Sequence, residues 1–93
     1  MMEIQFAPSR ALCASIRTLR KAQGRSLLAV SFALADGGWP IHECNLARLE
    51  RGQVGHVPLA CFWHLARVLG SRALYEAARQ EIAAESTPWQ AGA

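Results

Sequence analysis

Long hydrophobic runs, paired cysteines and strand-like alternation are all missing from this 93-residue chain. The longest apolar stretch, LLAVSFALA at 27–35, is too short to cross a bilayer and contains Ser31. No charged-then-apolar signal segment stands at the N-terminus. Three cysteines are an odd number with no framework spacing, which excludes a disulfide scaffold and fits reduced thiols in a cytoplasm. No repeat or low-complexity tract occurs. Metal and thiol chemistry also lack their patterns. Cys61 and His64 lie three apart and His42 and Cys44 two apart, but neither C-x₂-C nor H-x₃₋₅-H is present. Cys13 and Cys44 have no third residue to orient a nucleophile. No enzyme, metal or cofactor is expected.

What is there is globular: 52% hydrophobic and 18% charged residues, enough for one small core. The net charge of +3 is unevenly spread. Between Ser9 and His56 seven basic residues face three acidic ones, whereas the remainder has three basic against four acidic. An anionic partner is therefore expected on the first half, the alternative being an ordinary solvated basic surface.

Apolar spacing and punctuation predict five short helices. Residues 1–8 read as a leader closed by Pro8, in which Ile4 and Phe6 can pack; residues 9–85 read as the domain and 86–93 as a tail. Ser9 caps a first helix, RALCASIRTLRKAQ, with a stripe of Leu12, Ile16 and Leu19 and a stop at Gly24. Ser26 caps a second, to Ala35, facing inward through Val30 and Leu34. Asp36-Gly37-Gly38 ends it. A third runs from about His42 to Arg51 with Leu46 and Leu49 inward, and Gly52 stops it. Pro58 opens a fourth, to Leu69, and Ser71 caps a fifth, Arg72 to Glu85, with Leu74, Ala78 and Ile82 in line.

At about 100° per residue, the third helix puts Leu46, Leu49, Glu50 and His42 on one side. Cys44, Ala47, Arg48 and Arg51 fall opposite, flanked by Glu43 and Asn45. Such a short, polar face with two arginines suits a major groove, where Arg pairs with guanine, Asn with adenine and Glu with cytosine. Taken alone, it also suits plain solvent.

The ordered set IRTLRKAQGRSLLAVSFAL, NLARLERGQ and LARVLG resembles the Xre/Cro-type helix-turn-helix family of phage and bacterial transcriptional regulators. The resemblance rests on Ile16, Leu19, Arg20, Gly24, Ser26, Val30, Leu34, Ile41, Leu46, Arg48, Leu49, Glu50, Arg51, Gly52, Leu65, Ala66, Leu69 and Gly70, and spans 12–74. It implies an all-α, compact five-helix bundle, a lambda-repressor-like DNA-binding domain. It implies a repressor of bacterial, plasmid or phage origin that binds a double-stranded inverted-repeat operator as a homodimer. The alternative it leaves open is an antitoxin or adaptor that holds a second protein.

The resemblance also assigns residues. Glu43, Cys44, Asn45 and Arg48 would read bases. Arg17, Lys21, Arg25, Ser26, Leu27, Arg51, Gln53 and His56 would meet phosphates. Arg20 and Glu50 would form a structural ion pair. Trp63, Leu74, Tyr75 and Ile82, with Trp89 of the tail, are the expected dimer surface, the alternative for Trp63 being cover for the fifth helix within one monomer. Three departures stand out. Leu27 occupies a position where the family often has a phosphate-binding Gln. The turn 35–41 is several residues longer than in short repressors, so Trp39 either packs against the helix pair or touches the DNA backbone. Glu43 opposes a polyanion unless it accepts from cytosine. Cys44 at this face is either a filler against a thymine methyl or a redox-sensitive thiol.

Overall fold

The computed structural model describes residues 4–86, with side chains to residue 84. The order is β1 (Gln5–Phe6), α1 (Arg10–Ala22), α2 (Leu27–Asp36), α3 (Glu43–Glu50), β2 (Val57–Pro58), α4 (Leu59–Leu69) and α5 (Arg72–Ser86). The five expected helices are present. Residues 87–93, including Trp89, lie outside the described residues.

The caps are local and readable. The Ser9 hydroxyl accepts from the Leu12 N–H at 3.1 Å, and that of Ser26 from the Ala29 N–H at 3.0 Å. Each satisfies a helix-start donor that would otherwise lack a partner. His42 caps α3 in place of a hydroxyl: its Nδ1 accepts from the Cys44 N–H at 3.1 Å. His42 is therefore an exposed cap just before the helix, and Glu43 is the first helical residue.

Helix ends repeat one design. At α2, Trp39 N–H donates to Leu34 C=O at 2.8 Å and Gly38 N–H to Ala35 C=O at 3.1 Å. Gly38 between them has φ +92°, where a side chain would be strained. The same pair of bonds closes α1 (Arg25 to Arg20, Gly24 to Lys21) and α3 (Gln53 to Arg48, Gly52 to Leu49).

The core gathers one stripe from each helix. Ile16 of α1, Val30 and Leu34 of α2, Leu46 and Leu49 of α3, Phe62 and Leu65 of α4 and Ala78 of α5 are all buried. Leu74 joins them at 3% exposure, so it is a core residue and not part of an exposed dimer surface. The reason is geometric: α5 packs along α4 and also touches α1, and Leu74 and Ala78 share its inner face. Tyr75 and Ile82 are half-buried beside that core.

Two findings revise the reading of the leader. Gln5–Phe6 pairs antiparallel with Val57–Pro58, with Gln5 opposite Pro58 and Phe6 opposite Val57. Leu59 N–H extends the link to Ile4 C=O at 2.8 Å. Two-residue strands carry no alternation to detect. Phe6 is 1% exposed, with its ring 5.5 Å from that of Phe62, whereas Ile4 remains exposed. Ser9 is tied down as well: its N–H donates to Glu81 Oε1 at 2.8 Å and its hydroxyl to Oε2. Residues 4–9 are thus bonded to the body of the domain.

Phe6→Ala is expected to cost about 3–5 kcal/mol, the usual range for emptying a buried aromatic site. Urea denaturation followed by circular dichroism measures it. A loss under about 1 kcal/mol would show Phe6 to be dispensable to the core.

Candidate functional site

The outer face of α3 is held in place from behind. Arg20, on the inner side of α1, grips Glu50 with two parallel bonds, Nε to Oε2 at 2.7 Å and Nη2 to Oε1 at 2.9 Å. Both side chains are buried. Nη1 donates to the Arg25 carbonyl at 2.9 Å, so one guanidinium joins α1, the α1–α2 link and the end of α3. The hydrogen bond to Glu50 raises the Arg20 pKa, and it outweighs the opposing effect of burial. Fork-to-fork geometry of this kind fixes orientation as well as distance. Gly52 follows at φ +73°, and a Cβ there would come within 3.0 Å of Arg10 Cγ, so the chain leaves α3 close against the start of α1.

With Leu46, Leu49 and Glu50 turned inward, α3 presents Cys44, Asn45, Arg48 and Arg51 to solvent. Glu43 is half-buried at its first turn. The side chains of Asn45, Arg48 and Gln53 surround one opening beside Trp39. None of the three makes a side-chain hydrogen bond or ion pair among the described residues. Arg17 and Lys21 are exposed and four apart on α1, and His56 is exposed in the loop after α3. Ser26 is exposed at the start of α2, beside half-buried Leu27.

Arg25 departs from its expected role as a free phosphate contact. Its Nη1 donates to the Val68 carbonyl at 2.7 Å, while Gln23 Nε2 donates to that of Leu69 at 2.6 Å. Both serve the C-terminal carbonyls of α4, where a cation also suits the helix dipole. Sequence spacing gave no sign of this, because the partner lies more than forty residues away.

The turn between α2 and α3 packs inward. Trp39 is half-buried and stacks on His64 with ring centroids 5.3 Å apart. Ser31 Oγ donates to the Ile41 carbonyl, pinning the turn to α2. His64 is half-buried against Trp39, and Trp63 meets it edge-on at 4.9 Å. Trp63 itself is 44% exposed, with the Arg67 guanidinium 4.9 Å over its ring.

One surface escaped the sequence reading. Leu28 and Phe32, four apart on α2, are 46% and 66% exposed. The signal was present in LLAVSFALA, which is apolar on every side and so cannot bury all of itself. Among the described residues, no three His, Cys, Asp or Glu side chains form a metal-holding group, and no helix is long and apolar enough to cross a membrane.

Comparison with known proteins gives no family model, no curated protein and no solved structure that matches the chain significantly.

Two outcomes follow from this geometry. Glu50→Ala leaves Arg20 charged and buried without its partner, and should cost about 3–5 kcal/mol. Arg20→Met with Glu50→Leu, which removes both charges, should recover most of that loss in the same denaturation assay. An unrecovered loss would mean that packing, not the unpaired charge, sets the cost. The second outcome concerns Cys61, whose thiol is pushed up to about 11 chiefly by burial, partly offset by Trp39 and reinforced by Cys13. The unfolded chain ionises this thiol near its ordinary value of 9.0 while the folded chain keeps it protonated. Stability should therefore fall as pH rises from roughly 9 to 11, by up to about 2 kcal/mol. Urea midpoints at about pH 8 and 10.5 test the slope.

Proposed function

We propose that this chain is a sequence-specific, double-stranded DNA-binding regulator of the helix-turn-helix type. In this reading α2 and α3 are its two signature helices and α3 is the reading helix. The observation that carries it is the two-sidedness of α3. Its inner side is locked by Leu46, Leu49 and the Arg20–Glu50 fork, while its outer side offers Cys44, Asn45 and Arg48, whose side chains have no polar partner among the described residues. Buried polar clamping of an eight-residue helix is unneeded for solubility. It serves a helix whose outer side chains must meet a rigid surface in register.

The roles follow from side-chain chemistry. Arg48 pairs with guanine O6 and N7, Asn45 with adenine, and Glu43 accepts from cytosine N4, which turns an opposing charge into a selective one. Cys44 is an uncharged contact for a thymine methyl. Arg17, Lys21, Arg51, Gln53 and His56 hold phosphates, joined by the Ser26–Leu27 helix start, which offers backbone N–H groups. A two-fold dimer through Trp63 and the outer edge of α5 at Tyr75 and Ile82 would set half-sites about 34–36 Å apart. Repression of nearby genes is the simplest use of such a protein.

A second reading is a protein-holding adaptor or antitoxin on the same scaffold. Exposed Phe32 and Leu28 favour it, since neighbouring large apolar side chains at a surface mark interaction sites.

Selection of bound genomic fragments, followed by footprinting, tests the first reading through the symmetry of the protected site. Arg48→Ala should lose about 1–3 kcal/mol of discrimination at one base position. Lys21→Ala should weaken all sequences alike and flatten the salt slope by about one. Uniform loss on every sequence for Arg48→Ala would remove α3 as the reading helix. Absence of any bound fragment at low salt, with a stoichiometric co-purifying protein, would replace DNA binding by the adaptor reading.

A further inference from the structure

Between the α2–α3 turn, α3 and β2 lies a cavity of about 300 Å³ whose apolar walls have no part in the roles above, although its rim shares residues with them. Its walls include Trp39, Ile41, Val57 and Cys61, and its rim carries Asn45, Arg48 and Gln53. Among the described residues, no Asp or Glu lines it. Two of the walls are built by the turn, and both are fixed: Trp39 N–H is bonded to Leu34 C=O at 2.8 Å and the Ile41 carbonyl receives Ser31 Oγ. The cavity is therefore present before anything enters it, as small-molecule sites usually are.

Its chemistry selects the occupant. An apolar floor beneath a few convergent polar groups is the ordinary composition of a ligand site, and the volume is at the small end of the roughly 300–1,000 Å³ such sites span. One or two rings fill it. The rim supplies one permanent cation, a planar guanidinium, beside two neutral amides. A single guanidinium matches a carboxylate bidentately, whereas a phosphate dianion would keep an uncompensated charge against apolar walls. We propose that this cavity binds a small aromatic monocarboxylate, its ring against Trp39, Ile41 and Val57 and its carboxylate on Arg48, with Asn45 and Gln53 donating. The occupant takes the donors of Arg48 and Asn45 away from bases. It thus lowers operator affinity, and this regulatory half rests on the DNA-binding reading, while the binding half does not.

The test is a titration of the ¹⁵N-labelled full chain with two probes, phenylacetate and indole-3-acetate, against neutral phenylacetamide. The expected result is saturable shifts at the Trp39 indole N–H and the Gln53 and Val57 amides for at least one acid. Phenylacetamide and the Arg48→Gln variant should bind at least ten-fold more weakly. Arg48 is exposed, so its substitution does not threaten the fold. Val57→Phe, which fills the cavity, should abolish the shifts while the rest of the spectrum stays folded. No saturable binding of either acid up to about 20 mM, a free energy near −2 kcal/mol, overturns the proposal. Binding that Arg48→Gln leaves unchanged does so too. In a second arm, the acid should weaken binding of the selected operator by wild type and leave binding by Val57→Phe unaffected. Acid binding with no DNA binding at all would sink the DNA reading and keep the site. DNA binding indifferent to bound acid would sink the regulatory half alone.

Discussion

The Arg20–Glu50 fork is the contact on which the arrangement of helices turns. A buried ion pair between distant segments is a poor source of net stability, because desolvating both ions consumes most of the attraction. Its strength lies in intolerance. Two parallel bonds of 2.7 and 2.9 Å define the distance and the roll of α3 relative to α1, and a third bond to the Arg25 carbonyl defines how the chain enters α2. Leucines alone would accept small rotations of an eight-residue helix; a carboxylate that must meet a guanidinium edge-on would not. The outer face of α3 inherits that precision.

A second constraint acts through the helix ends. The α1–α2 link does more than reverse the chain. Gln23 and Arg25 reach the last carbonyls of α4, so the link doubles as a cap for a helix more than forty residues away. At the α2–α3 link, Trp39 and Ile41 fold inward onto α4 and α2, which ties the link to both helices. Trp39 and Ile41 of this link thereby form part of the wall of a cavity with Arg48 at its mouth.

Much of the fold was legible because its signals are local. Ser9, Ser26 and the glycines after each helix mark boundaries by rules that need no tertiary context, and the stripes of Ile16, Val30, Leu34, Leu46, Leu49 and Leu65 announce their own burial. The failures share a cause. Phe6 was readable as apolar but not as a partner of Phe62, since two paired residues carry no period. Leu74 is as apolar as any interface anchor, and only the placement of α5 tells which side of it is inside. Arg25 looks like a surface cation until α4 is docked. At the candidate site, the residue types on α3 were legible, while the fact that Asn45, Arg48 and Gln53 converge on one opening belongs to three dimensions alone.

Ser9 and Glu81 stand 72 residues apart in the chain, yet a serine N–H and hydroxyl both rest on that one carboxylate. Just before it, the strand at Gln5–Phe6 lies against a segment some fifty residues downstream. The chain is in effect a ring closed twice near its beginning. A domain of short helices ordinarily folds through neighbours, one hairpin at a time. Here the start of α1 is capped locally by Ser9, and the same serine is also held by α5 through Glu81. The Glu81 carboxylate thus couples the placement of the N-terminal segment to the seating of the C-terminal helix.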